Sequence, residues 1–437
     1  MKTKLFLRSG VRAGVVALVT FLMAASVSSC EVTSEKIQSW KQTVKGAAKI
    51  RAALRDQAQK LPIRVEAAEA LCEMGLFAPL ADDIKALTPG DRKKVMETLS
   101  KRLIAKMEGS NPGATTRIQI QAKDALFSLR EMAEPAQRKT MEEKVVRWLL
   151  ADWQKRSAGE HSADKVMTGI GAAAGLVLAE TIGQGTPVVV SATMLRKVGS
   201  QQHRDEAARK LVELAARQKP PQVQTFHALG KVGSLVAVKY LEQVAQKGEF
   251  QKRVWALRAL ALFPHPSVIG TMKGIASDDS LKDDEALLRD EAFTVLEKID
   301  DEQALVALSG FLDNKEETVR YRAAEAILGG FGARGLTKLL EGLSSRYTYQ
   351  KEDLVDFIEK DIQQLGTNAL PPLRRALSSK SWVARLIAVR MLGRIGSKQD
   401  VTALEKLGSD STKLKGWEGG ATVGSEAMAA AKLLKSR

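Results

Sequence analysis

Cysteine, histidine and aromatic residues are scarce in this chain of 437 residues. It has two cysteines, Cys30 and Cys72, and four histidines, and aromatic residues make up 5% of it. Two cysteines cannot form a disulfide framework, and the histidines are scattered, so we expect neither a disulfide scaffold nor a metal site. The remaining composition, 44% hydrophobic and 27% charged, is that of a globular protein and excludes a fibrous or wholly disordered chain.

Catalytic motifs are also missing. The sequence contains no G-x-S-x-G, no H-E-x-x-H and no P-loop, the patterns that place nucleophiles, zinc ligands or phosphate-binding amides. No cysteine and histidine stand at a spacing typical of a nucleophilic pair. We therefore assign no catalytic residue, expect the chain not to be an enzyme, and interpret Cys72 as a buried small hydrophobic residue.

The first thirty residues have the pattern of a secretory signal. An uncharged run at 13–25 leads to small residues before Cys30, and it is preceded by the cations Lys2, Lys4, Arg8 and Arg12. This run is shorter than the roughly 20 apolar residues of a membrane-spanning helix. The alternatives are an ordinary signal peptide cut near Ala25 and an uncleaved N-terminal anchor.

The segment Val27-Ser28-Ser29-Cys30 resembles the lipobox of bacterial lipoproteins. The resemblance implies cleavage before Cys30, a diacylglycerol on its sulfur and an acyl chain on its new amino group. No other cofactor is expected. It predicts a signal peptide at 1–29, a polar tether at 30–46, and a protein that is lipid-anchored in the bacterial cell envelope. Glu31, in place of the aspartate associated with inner-membrane retention, favours the outer membrane.

One ten-residue pattern recurs along the rest of the chain. Arginine stands at its second position, alanine at its fifth and a large apolar residue at its ninth, in the segments 63–72, 252–261, 288–297, 319–328 and 384–393. This spacing places apolar residues on one face of a helix. Small alanines on that face let a neighbouring helix approach closely. In two looser copies, Gln119 and Gln222 replace the arginine.

The pattern resembles the HEAT repeat, particularly its bacterial HEAT-like type. The resemblance implies an all-α fold, an α-solenoid in which HEAT-like helix pairs form a superhelical array over 47–437, and it is strongest at 250–395. A helix pair cannot bury its own apolar face, so stacking supplies the core. Four glycines are expected to end helices in the left-handed conformation: Gly230, Gly329, Gly366 and Gly393.

The resemblance also gives the repeated arginine a structural role, in a ladder where it meets an aspartate near the preceding inter-helix turn. Asp313 before Arg320 and Asp278 before Arg289 fit that expectation. We therefore interpret five residues as structural, with ligand binding as the alternative: Arg64, Arg253, Arg289, Arg320 and Arg385.

The chain carries a net charge of +16. Its basic residues are dense between 138 and 156, beside Trp148 and Trp153, and we consider as a basic docking patch Arg138, Lys139, Arg147, Lys155 and Arg156. Anionic lipids or acidic envelope proteins would be its partners. The alternative is an ordinary solvated surface whose tryptophans belong to the core.

These observations lead to three classes of function. The first, which we favour, is a membrane-anchored bacterial lipoprotein acting as a non-enzymatic scaffold that binds envelope proteins. The second is a nucleic-acid-binding HEAT-repeat protein, similar to the DNA-glycosylase-like kind, using its basic surface; a secreted protein meets no cytosolic DNA, so nucleic acid is not the expected partner. The third, an enzyme resembling the phycobilin lyases that share this repeat, has no support from individual residues.

Overall fold

The computed structural model describes residues 31–109, 116–281, 283–347, 349 and 356–437. Cys30 and the predicted signal peptide lie outside these residues. The described chain is helical throughout, and its β structure is confined to one isolated bridge between Lys413 and Thr422. The predicted all-α fold is confirmed.

The chain divides into two compact units between Val177 and Leu178. In the first unit the helices are α1 (Ser34–Trp40), α2 (Gly46–Arg55), α3 (Leu61–Glu73), α4 (Phe77–Lys85), α5 (Pro89–Glu108), α6 (Arg117–Leu129), α7 (Pro135–Ala151), α8 (Trp153–Arg156) and α9 (Ala163–Ile170). Helix α2 packs on α3, α5 packs on α6, and α7 packs on both members of the second pair. The unit is therefore a stack of paired helices.

The unit boundary falls within α10 (Ala172–Thr181). In the second unit the helices are α11 (Val188–Val198), α12 (Gln201–Arg217), α13 (Val223–Lys231), α14 (Leu235–Lys247), α15 (Phe250–Leu260), α16 (Ile269–Ala276), α17 (Ala286–Lys298), α18 (Glu302–Ser309), α19 (Glu317–Gly342), α20 (Asp356–Gln364), α21 (Leu370–Ala376), α22 (Trp382–Ile395), α23 (Val401–Lys406) and α24 (Val423–Lys435).

Helices of the second unit alternate between two layers, A and B. Each A helix packs against the B helix that follows it, in the pairs α12/α13, α14/α15, α16/α17, α18/α19, α21/α22 and α23/α24. The B helices α13, α15, α17 and α19 pack on one another in succession, as do α22 and α24, and α20 packs between α19 and α22. This regular stack confirms the predicted α-solenoid.

Helix α19 belongs to two repeats because its backbone reverses at Gly332. The φ angle of Gly332 is 53°, a left-handed conformation that a residue without a Cβ adopts at little cost. The first half of α19 carries Arg320 and is a B helix, whereas the half after Gly332 contacts the A helix α21, where Arg375 donates a hydrogen bond to Thr337 at 3.1 Å. The alanines of the repeat lie in the core, and Ala323 and Ala324 are fully buried.

The four predicted helix-ending glycines have different roles. Gly366 has the expected positive φ, 56°, but Gly230 and Gly393 do not. A Cβ on Gly230 would lie 2.9 Å from the Cα of Ala259 in the adjacent B helix, and one on Gly393 would lie 2.9 Å from the Cβ of Ala430. The left-handed prediction is wrong for Gly230, Gly329 and Gly393, none of which has a positive φ. Gly230 and Gly393 instead permit close helix contact.

The folded body begins before residue 47. Helix α1 lies inside the segment 30–46 that was predicted to be a tether, and its Ile37 is fully buried. Gln38 donates a hydrogen bond to Glu66, and Lys41 forms a 2.5 Å ion pair with Glu73, both in α3. One buried isoleucine in a polar stretch gives too weak a periodicity for the sequence to reveal this helix.

Candidate functional site

The repeated arginines share one type of contact. Each donates a hydrogen bond to a main-chain carbonyl near the end of the preceding helix: Arg64 to Leu54 (3.0 Å), Arg253 to Ala245 (2.9 Å), Arg289 to Asp278 (2.9 Å), Arg320 to Asn314 (2.9 Å) and Arg385 to Ser379 (2.8 Å). The last carbonyls of a helix have no partner within it and carry partial negative charge, which a guanidinium satisfies.

The acidic partner lies in the following repeat. Arg289 pairs with Glu316 at 2.8 Å, 27 residues later, and Arg385 donates to Asp410 at 2.7 Å, 25 residues later. The predicted aspartate of the preceding turn is wrong in detail, because Asp278 offers Arg289 its carbonyl and not its carboxylate. Each of these arginines therefore joins the turn of its own repeat to the turn of the next.

Arg64 also has an acidic partner in the following repeat, whereas the partner of Arg320 is aromatic. Arg64 lies 3.3 Å from Asp91, whereas Arg320 stacks over Tyr347, 4.2 Å from its ring centre. Hydrogen bonds from Ser280, and then the positive charge of Arg253, lower the pKa of Asp278. Arg64 and Arg320 are only 4% and 3% exposed, so they offer little surface to a ligand.

The glutamines in the arginine position make no equivalent contact. The side chain of Gln119 caps its own helix, accepting a hydrogen bond from the backbone of Thr116 at 2.8 Å. Gln222 precedes α13 and is exposed. The link between repeats depends on the guanidinium, which has enough donors to reach two turns.

The predicted basic docking patch contains many internal ion pairs. Arg138 contacts Glu142 at 2.9 Å, which raises the pKa of Arg138, and Lys139 lies 3.8 Å from Glu143. Lys155 similarly pairs with Asp152 at 3.5 Å.

The remaining members of the patch surround a buried tryptophan. Arg156 donates to the carbonyl of Trp148 at 2.6 Å and stacks over its ring, 4.6 Å from the ring centre. Trp148 is buried, Trp153 is half-buried, and Arg147 is exposed on α7. The patch remains a prediction, and these contacts favour the alternative of a solvated, charge-paired surface over a core tryptophan.

A buried charged cluster in the first unit was not anticipated from the sequence. Lys123 is fully buried, lies 2.8 Å from Asp124, and donates to the carbonyls of Ala158 and His161. Asp124 accepts main-chain hydrogen bonds from Glu160 (2.9 Å) and His161 (3.1 Å). The cluster fastens the loop after α8 to α6. The residues that contact one another in this cluster are about 35 residues apart along the chain. No local motif could therefore have indicated the cluster.

Ser128, His161 and Asp124 do not form a catalytic triad despite their proximity. The Ser128 hydroxyl lies 3.0 Å from Nε2 of His161. In a triad the carboxylate would accept a hydrogen bond from the N–H of the other ring nitrogen. Here Asp124 binds main-chain amides, and Nδ1 of His161 is buried without a hydrogen-bond partner. Burial lowers the pKa of His161.

Other chemical sites are not apparent in the described part of the chain. Across its ranges, no cluster of histidine, cysteine, aspartate and glutamate has the arrangement of a metal site. The Cys72 thiol is buried, which raises its pKa and keeps it protonated. A groove of about 450 Å³ beside Asp124 brings together Phe77, Arg117 and Glu160, so it presents both signs of charge.

The B helices of the second unit carry a mixed-charge surface across successive repeats. Arg258 of α15 contacts Glu291 of α17 at 2.6 Å, and Arg322 of α19 contacts Glu297 of α17 at 3.3 Å. Further along, a fully buried glutamate, Glu359, accepts hydrogen bonds and ion pairs from Arg390 and Arg394. We call the side chains that form these ion pairs the B-face, which contains both acids and bases: Arg258, Glu291, Glu297, Arg322, Glu325, Glu359, Arg390 and Arg394.

Membrane-crossing helices are absent from the described ranges, where none combines the length and the apolar character that spanning requires.

One stretch of the second unit resembles a known repeat family. Residues 238–328 match the family model described as HEAT repeats. No curated protein matches the sequence.

The chain also matches several solved structures, at low identity and with low TM-scores. One is Kap121p bound to the SUMO protease Ulp1p, at 12% identity and a TM-score of 0.27, covering 98% of this chain and 48% of that one. Another is human deoxyhypusine hydroxylase in complex with glycerol, at 15% identity and a TM-score of 0.21, covering 78% of this chain and 98% of that one. A third is UNC-45 from Drosophila melanogaster, at 15% identity and a TM-score of 0.23, covering 97% of this chain and 63% of that one. The chain spans about half the length of the Kap121p chain.

Proposed function

We propose that this HEAT-repeat protein is a lipid-anchored bacterial envelope protein whose solenoid binds another protein without catalysing a reaction. The HEAT-repeat solenoid is a fold typical of protein-interaction scaffolds. The lipobox-like Val27-Ser28-Ser29-Cys30 supports anchoring. The buried arginines are engaged in joining repeats, so the surface left for a partner is made by the exposed side chains between them.

The B-face is the observation that carries the scaffold proposal. It extends from Arg258 to Arg394 with acids and bases side by side. A nucleic-acid surface needs cations that are available to phosphates, whereas here the arginines contact glutamates of the adjacent helix. A protein partner with its own mixed charges can match such a pattern.

The anchoring part is tested by changing Cys30→Ser in the full-length chain. We expect the parent to incorporate a labelled fatty acid and to fractionate with membranes. The serine variant should take up no label and should remain as an uncut precursor, because serine has no thiol to form the thioether. Equal labelling of parent and variant would disprove lipid attachment at Cys30.

The scaffold part is tested by photo-crosslinking from the envelope of intact cells. A photoreactive amino acid is placed on the B-face at Glu325 and, as a matched control, at Lys239 on A helix α14; both side chains are exposed. We expect the B-face position to capture one discrete partner that the A position does not. Equal capture at both positions, or none at Glu325, would contradict docking on the B-face.

A further inference from the structure

Glu31, the residue after the predicted lipid attachment, contacts the folded body. The carbonyl of Glu31 accepts a hydrogen bond from Lys36 at 2.9 Å, and its carboxylate lies 3.5 Å from Lys60. Cys30 precedes Glu31, and one peptide spans only about 3.8 Å between Cα atoms. A lipid on that cysteine would therefore hold α1 and α2 at the membrane surface, with no free linker between them.

Next to this point lies a cationic surface with an apolar tip. We define the hairpin surface as Lys36, Trp40, Val44, Lys45 and Lys49. Lys36 and Trp40 are one helical turn apart on α1, and Lys49 of α2 lies 5.7 Å from the centre of the Trp40 ring. Val44, in the turn between the helices, is fully exposed.

The charge of this surface is unbalanced. Residues 40–49 contain three lysines and no acidic residue. Lys41 is paired with Glu73, but within the described residues Lys36, Lys45 and Lys49 have no carboxylate partner. This contrasts with the 138–156 segment, where acids offset the cations.

We propose that the hairpin surface binds anionic phospholipids and sets the orientation of the lipid-anchored protein on its membrane; this inference rests on the proposed anchoring at Cys30. Tryptophan favours the membrane–water interface, and lysines extend their charge toward headgroups from an apolar stem. Helix α1 has seven residues and is about 10 Å long, so the anchor and the Val44 turn reach the same surface when α1 lies flat on it.

The size of the effect follows from the number of lysines. A lysine near an anionic surface strengthens binding about fivefold, so three of them together contribute about 100-fold. This contribution must fall with ionic strength, since the Debye length shrinks from about 10 Å at 0.1 M salt to about 3 Å at 1 M.

The test uses the full lipidated protein in vesicles of phosphatidylcholine with 30% phosphatidylglycerol. Mass spectrometry of the N-terminal peptide first establishes whether Cys30 carries lipid. In a Cys72→Ala background, a fluorophore is attached through Val44→Cys or, as a control, through Ile118→Cys, another exposed apolar position in the first unit. Quenching by a lipid with a shallow spin label then reports proximity to the membrane.

We expect quenching at position 44 to exceed that at position 118 at least fivefold. Changing Lys36, Lys45 and Lys49 to glutamine, or raising salt to 1 M, should abolish most of the difference. The same change at three exposed lysines elsewhere in the unit should leave it intact: Lys85, Lys93 and Lys94.

The possible failures are distinguishable. A lipidated protein with equal quenching at both positions would overturn the hairpin surface and leave the anchoring proposal standing. The hairpin surface would also be overturned if the difference in quenching survived the changes at Lys36, Lys45 and Lys49 but fell when the control lysines were changed to glutamine. An N-terminal peptide without lipid would overturn both proposals.

Discussion

Replacing Gly230 with alanine should destabilise the second unit, although helix propensity predicts the reverse. Gly230 lies in α13 with an ordinary helical backbone, where alanine is favoured by about 1 kcal/mol. Its new Cβ, however, would lie 2.9 Å from the Cα and carbonyl carbon of Ala259. A backbone cannot rotate away as a side chain can, so the two helices must separate.

The magnitude follows from these opposing effects. Inserting a methyl group into a well-packed interface costs about 1–3 kcal/mol. Subtracting the propensity gain of about 1 kcal/mol leaves about 0–2 kcal/mol, so we expect Gly230→Ala to lower the free energy of unfolding by up to about 2 kcal/mol. Gly274 provides the matched control: it lies in helix α16, and a Cβ there would meet nothing within 4 Å. Gly274→Ala should therefore stabilise by about 0.5–1 kcal/mol.

The assay is urea unfolding of the full chain, followed by circular dichroism at 222 nm, with the two variants beside the parent. Stacked repeats need not unfold in one step, so amide hydrogen exchange in α13 and α15 locates the effect. A midpoint that rises for both variants would refute the reasoning, because it would mean that the contact between Gly230 and Ala259 relaxes without cost.

Four further outcomes are expected. Arg385→Ala should lower the free energy of unfolding by about 1–3 kcal/mol, because the turn carbonyls and Asp410 lose the guanidinium that donates to them. Loss of the exposed ion pair between Arg334 and Asp300 should lower it by less than about 1 kcal/mol, and urea titration compares the two variants. Burial raises the pKa of Asp410, but hydrogen bonds and the charge of Arg385 outweigh burial and hold that pKa below its usual range. Stability should therefore decline as pH falls through the acidic range, and the decline should be less steep in the Asp410→Asn variant. Ala324→Leu should lower unfolding free energy by about 1–3 kcal/mol in the same titration, since its side chain is fully buried. Burial lowers the pKa of His161, so acidification through its unfolded pKa of about 6.5 should destabilise the first unit, and His161→Gln should reduce that dependence.

The helices could be predicted because their signal is local. Apolar residues at helical spacing and the alanines of the repeat are visible within ten residues, and Ala323 and Ala388 are buried as the register requires. The role of each glycine could not be predicted from the residues next to it in the sequence. Gly366 and Gly230 both follow an apolar helical stretch, but whether a glycine turns the chain or admits a neighbour depends on a helix about 30 residues away.

The arginine contacts show the same limit. The sequence indicates a repeated structural cation, and a carboxylate in the preceding turn is its nearest acid along the chain. In the structure the preceding turn contributes carbonyls, and the acid comes from the next repeat, as for Arg289 with Glu316. Pairing across 25 to 27 residues is fixed by the stacking distance between repeats, which no single repeat encodes.

Where the positive charge lies matters more than its total for recognition. The chain carries +16, yet many cations are already used: Arg64 and Arg320 hold turns together, and Arg138 contacts glutamates of its own surroundings. A cation that already has a carboxylate partner must break that pair to bind another anion, so it contributes little to a new interface. Lys45 and Lys49 have no such partner in the described chain. Lys49 lies over the Trp40 ring, and Lys36 extends the same surface to Glu31. The attraction to an anionic membrane should therefore come from these lysines and not from the denser arginine clusters.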